Sequence, residues 1–154
     1  LEATLADSTR AAAIADAVAE QETHFDMLGL QLGYTYPAPS TEMDPRVFEP
    51  TGQVGSRLPH AWLDDTTSTL ATVAADRMTL VSVGAHEEWE EAALSVDATV
   101  LHLKFDLESW RQQCGLGEGG AVLVRPDQHI AARFEHLSDA PIAALRQALS
   151  VAVR

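Results

Sequence analysis

Two apolar runs, Arg77 to Val83 and Thr99 to Phe105, flank a segment of helical period, and this alternation constrains the fold more than any other feature. Between them, His86 to Leu94 sets Trp89, Ala92 and Ala93 on one face, at i, i+3 and i+4. Glu87, Glu88, Glu90 and Glu91 suit the positive end of that helix. A helical crossover between two strands implies that they lie parallel. Leu107 to about Gln113 then reads as a short helix closed by Gly115 and Gly117. Ala121–Val124 and His129–Phe134 read as a hairpin around Arg125-Pro126-Asp127-Gln128. A last helix starts at about Ser138 or Asp139, with Pro141 in its first turn and Ile142, Leu145, Leu149 and Val151 or Ala152 on one side. The hairpin adds antiparallel partners to the parallel pair, so the expected fold is α/β, a mixed four-stranded sheet with flanking helices.

The first half is less regular. Asp7 is placed to cap an Ala-rich helix over about residues 8–24, whose narrow apolar stripe carries Ile14, Val18, Gln21 or Glu22, and Phe25. Leu28, Leu30, Leu32, Tyr34 and Tyr36 alternate with smaller or polar residues around Gly29 and Gly33, which predicts a short extended segment. Five of the seven prolines, Pro37, Pro39, Pro45, Pro50 and Pro59, fall between Pro37 and Asp76, where little regular structure is expected. Forty such residues exceed the usual loop ceiling of about 12–15. The segment reads as an arm lying on a partner surface, with a partly flexible linker as the alternative. Val47, Phe48, Leu58 and Trp62 favour the arm, since such side chains seek burial.

Gly55-Ser56-Arg57-Leu58-Pro59-His60-Ala61-Trp62-Leu63 is answered about sixty residues later by Val122-Leu123-Val124-Arg125-Pro126-Asp127-Gln128-His129-Ile130-Ala131-Ala132-Arg133. This pair resembles the C-terminal region of FAD-dependent aromatic-ring hydroxylases of the phenol hydroxylase and 2,4-dichlorophenol 6-monooxygenase type. In that family an arginine-x-proline-histidine-x-tryptophan-leucine segment leads into a thioredoxin-like domain. The resemblance covers nearly the whole chain. It implies that residues 1–36 match the helix and linker ending the substrate domain, 37–76 an extended arm, and 77–154 the thioredoxin-like domain. Val54, Gln128 and Ala132 depart from the pattern, which has proline, glycine and an aromatic there. A positive φ at Gln128 would cost roughly 1 kcal/mol.

A thioredoxin-like plan invites a redox reading, but thiol exchange needs a thiolate at the start of the crossover helix and a resolving thiol three residues on. Gly84-Ala85-His86-Glu87 holds no cysteine, the loop before Ala121 lacks the proline that redox members place there, and the single cysteine, Cys114, lies in or after a later helix. It reads as an inert packed residue, and one cysteine allows no intrachain disulfide. The six histidines, at 24, 60, 86, 102, 129 and 136, lack metal-ligand spacing; His86 and Glu90 share a helix face at i, i+4 without the two-histidine helix motif. Gly115-Leu116-Gly117-Glu118-Gly119-Gly120 precedes a strand rather than opening a helix, so it reads as a turn, not a dinucleotide cradle. A net charge of −13 disfavours nucleic acid and anionic membranes as partners. No apolar run approaches the roughly 20 residues of a membrane span, and no signal-peptide order is present, so a cytoplasmic location is expected.

Arg57, His60 and Trp62, with Arg125, Asp127 and Arg133, remain as structural or interface candidates, able to anchor the arm through carbonyls and carboxylates. The functional alternative has Arg57 or His60 reaching a flavin or substrate. No catalytic, cofactor-binding or metal-ligating residue is assigned. The resemblance implies FAD and NAD(P)H for a parent enzyme, with this chain a non-catalytic domain packed on the FAD- and substrate-binding part or on a homodimer partner. A free-standing thioredoxin-like protein-binding module without redox activity is the alternative.

Overall fold

The computed structural model describes residues 8–36, 44–84, 87–96 and 100–152, with no side-chain description of residues 8 and 22–24. Asp7, Pro37, Pro39, Ala85, His86, Thr99 and the His24 side chain therefore lie outside the described residues. The elements are helix α1 (Ser8–Phe25), helix α2 (Leu28–Leu32), a 3₁₀ turn at Leu70–Thr72, strand β1 (Met78–Ser82), helix α3 (Glu88–Ser95) and strand β2 (Val100–Lys104). Helix α4 (Glu108–Gln113), strands β3 (Ala121–Val124) and β4 (Ile130–Phe134) and helix α5 (Pro141–Ala152) follow.

The sheet runs β2-β1-β3-β4. β1 pairs with β2 in parallel, Leu80 beside His102, and with β3 antiparallel, Leu80 beside Leu123. β3 and β4 form the hairpin, with a register shift between Leu123 and Val124. This mixed α/β architecture is the one expected from the pattern of apolar periods.

Every residue of β1 is buried, because both faces of the sheet are covered. On one face Leu80, Leu123 and Ala121 pack against Trp89, Ala92 and Ala93 of α3 and Leu145 of α5. On the other, Val81, Val83, Val122, Val124 and Ile130 pack against Trp110 of α4, Cys114 just after it, and Leu58 from the arm. Each core holds one tryptophan with no exposed surface, and each ring satisfies its polar edge on a backbone carbonyl. Trp89 Nε1 donates to the Gly119 oxygen at 2.8 Å, and Trp110 Nε1 to the Pro59 oxygen at 2.9 Å.

The stretch expected to be extended, residues 28–36, begins instead as the short helix α2. Gln31 N donates to the Met27 oxygen and Gly33 N to the Gly29 oxygen. Gly29 is buried beneath the Val47 carbonyl, where a Cβ would come within 2.3 Å, and Leu30 N bonds the Pro45 oxygen. The leucine alternation is thus overridden by close backbone packing of the 44–47 segment.

The arm, expected on a partner, lies on this chain's own sheet. Gly55 N donates to the Ile130 oxygen at 2.8 Å, Ile130 N to the Ser56 oxygen at 2.9 Å, and Leu58 N to the Gln128 oxygen at 2.8 Å. Arg57 and His129 form an antiparallel bridge, so residues 55–58 act as a short fifth strand on the β4 edge. Gly55 has φ +91°, and a Cβ there would strike the Tyr36 carbonyl at 1.6 Å, so glycine is required twice over. Leu58 turns inward and is 2% exposed; Trp62, expected to be buried, is 62% exposed. Beyond Leu58 the chain leaves the β4 edge, and Trp62, which bridges Ser68 instead, holds its ring outside against His60 at 5.1 Å.

Replacing Leu58 by alanine should therefore lower stability by about 2–5 kcal/mol, while Trp62→Ala should cost under about 0.5 kcal/mol. Urea unfolding of both variants measures this; equal losses would mean that the arm does not dock as described.

Candidate functional site

The hairpin turn gathers a cluster of polar side chains. Gln128 adopts φ 68°, the left-handed conformation that glycine would take without strain. Its side chain offsets that cost: the Oε1 accepts from Arg57 Nη2 at 2.7 Å, and the Nε2 donates to the Leu70 oxygen at 3.2 Å. Arg125 Nη2 pairs with Asp127 Oδ2 at 2.6 Å, and Asp127 Oδ1 accepts from the His129 amide at 3.2 Å. The Arg125 guanidinium sits 5.5 Å from the centre of the Tyr36 ring, whose edge also meets His129 at 5.2 Å.

Of the six residues singled out in the sequence, Arg57, Arg125 and Asp127 converge on this turn. His60 and Trp62 meet edge to face at the exposed side of the arm. Arg133 stands apart on β4, paired with Glu135 at 2.7 Å. Arg57's guanidinium is engaged by Gln128, and the 430 Å³ cavity that it borders, between α2 and the arm, includes Leu32, Val47, Phe48, Thr51 and Ser56. This arrangement clamps chain to chain. Tyr36, and the hydrogen-bonding role of Gln128, are what residue-type reasoning missed; the sequence marked Gln128 only as standing at a glycine position.

Two other groups have chemistry in principle. Ser82 Oγ lies 2.8 Å from His102 Nε2, a nucleophile-and-base spacing. Burial pushes His102 below its ordinary pKa, with Glu90 opposing and Lys104 assisting. The Ser82 hydroxyl, however, has no exposed surface, so no substrate reaches it. Cys114 is equally sealed, and burial pushes its thiol up to about 12, Arg133 pulling weakly the other way. Since an unfolded thiol ionises near 9, its burial favours folding below that pH, and this contribution falls as pH rises from about 9 toward 12.

A flavin cradle needs free backbone amides, and four of the six in the glycine-rich segment are engaged within the chain. Gly115 N bonds the Gln112 oxygen, Leu116 N the Arg111 oxygen, Gly117 N the Glu135 oxygen and Gly120 N the Gly117 oxygen. The space beside Gly117 is filled by the His136 ring, and that beside Gly120 by the Glu135 carbonyl. These residues do not fit a dinucleotide. Among the described residues no three His, Cys, Asp or Glu side chains group to hold a metal, and no helix is long and apolar enough to cross a membrane.

The family model for the C-terminal region of aromatic-ring hydroxylases matches residues 51–153. Tetracenomycin B2 monooxygenase-dioxygenase of Streptomyces olivaceus is 33% identical over 74% of this chain and 23% of its own length. Phenol 2-monooxygenase of a Pseudomonas strain is 28% identical over 92% of this chain and 28% of its own. The crystal structure of the flavin-dependent monooxygenase PieE, in complex with FAD and substrate, superposes with a TM-score of 0.71 at 31% identity. That match covers 92% of this chain and 29% of PieE. The chain thus spans about a quarter of the length of the relatives it matches.

If Arg57 and Gln128 act as one clamp, Arg57→Ala and Gln128→Gly should be non-additive in a double-mutant cycle, with a coupling of about 1 kcal/mol. A coupling within error of zero in urea unfolding would show them to be independent. Cys114 should resist a disulfide reagent at pH 8 in the folded protein and react promptly in urea; rapid native labelling would contradict its burial.

Proposed function

This chain belongs to the aromatic-ring hydroxylase C-terminal family, and from that premise we propose that it is the non-catalytic C-terminal domain of an FAD-dependent aromatic monooxygenase. The parent enzyme uses FAD, NAD(P)H and dioxygen to hydroxylate a phenol or polyketide-like aromatic in the cytoplasm. One observation carries the reading: the family match runs through residues 51–153, while the chain amounts to about a quarter of each relative. The glycine segment supports the division of labour, since four of its six amides are bonded within this chain and the space beside Gly117 and Gly120 is filled. In this reading Arg57, Arg125 and Asp127 hold the arm to the hairpin, Arg133 steadies the β4 end, and His60 and Trp62 face the part that carries flavin and substrate.

The test is the mass of the natural gene product together with its flavin content. A product about four times this length that purifies with one FAD, while residues 1–154 alone bind none, is the expected result. Stoichiometric FAD binding by residues 1–154, or phenol hydroxylation by them, would overturn the non-catalytic assignment. A natural product of only 154 residues would instead make the chain a free-standing module.

A further inference from the structure

Most of the large apolar side chains left exposed among the described residues lie between Ile14 and Val54, ahead of the sheet. On α1, Ile14 is 43% exposed, Val18 62% and Phe25 79%. These three, with Ala17 and Gln21, line a trough of about 660 Å³ along one side of the helix. Asp16 and Glu20 fall on the opposite side at helical spacing. Among the described residues, no side chain of α1 belongs to either core. Helices in proteins draw most of their stability from a packed amphipathic face, and among the described residues nothing covers this one.

Solved structures of RebC-10x and of the rebeccamycin biosynthetic enzyme RebC with reduced flavin match 94% and 96% of this chain, leaving no room to omit so long a helix. The matched region is only 30% and 28% of those chains. A counterpart of α1 therefore exists in polypeptides with more than twice as much further chain. We propose that the Ile14–Val18–Phe25 stripe docks on the flavin-bearing part of the same polypeptide, making α1 the joint between that part and the sheet. This rests on the reading under Proposed function.

Amide hydrogen exchange on the full-length natural product tests it. Amides of α1 should exchange at least tenfold more slowly than in the V18D/F25D variant of the same product, and the milder V18A variant should lie between. Exchange at β1 should not change among the three. Wild-type α1 amides that exchange as fast as in the variants would overturn the docking while leaving the parent-enzyme reading intact. Protection that disappears on dilution, together with a halving of particle mass, would overturn it in favour of a second copy as occupant. A natural product of 154 residues would remove the premise itself, and the mass alone distinguishes that outcome.

Discussion

The carbonyl oxygen of Pro59 holds the arm to the rest of the molecule. It is buried and accepts two hydrogen bonds, from the indole of Trp110 and from the hydroxyl of Thr69, each at 2.9 Å. Thr69 Oγ1 in turn accepts the Ala61 amide at 3.0 Å. Each bond is worth about 1 kcal/mol net, but a buried acceptor stripped of partners costs about 1–3 kcal/mol. Helix α4, the 3₁₀ turn and the arm must therefore meet at one point. Only with that point closed does Leu58 reach Val81 and Val124, and only then does the outer face of the sheet stay dry.

The second indole does the same on the opposite face, where Trp89 bonds Gly119 and ties α3 to the turn before β3. Both tryptophans use their one polar atom on the chain's own backbone. Among the described residues no buried side-chain nitrogen or oxygen lacks a partner. The buried polar side-chain atoms of the described residues are thus matched within the chain.

The second half of the chain was legible because its periods are unambiguous: Met78, Leu80 and Ser82 alternate with Thr79 and Val81, and Trp89, Ala92 and Ala93 recur at helical spacing. Gln128 was legible as a strained position, confirmed by its φ, though not as a hydrogen-bonding hub. Three features escaped for physical reasons. Leucines at 28, 30 and 32 fit a strand pattern, and only contact with the 44–47 backbone decides for a helix. The arm docks mainly through amides and carbonyls, which leave no signature in residue type. Trp62 is of a type often buried, yet it lies past the segment that pairs with β4, bridged to Ser68, and its ring faces out.

The contact between Arg57 and Gln128 closes a loop of 71 residues. A ribosome adds about 5–20 residues per second, so roughly 4–14 s separate the synthesis of the arm from that of the turn on which it rests. Until then Leu58 has no pocket and the Pro59 carbonyl has no indole to accept from. Whatever precedes this region in a longer chain has that interval to fold first, which makes the sheet and its arm a late-assembling unit by the order of synthesis alone.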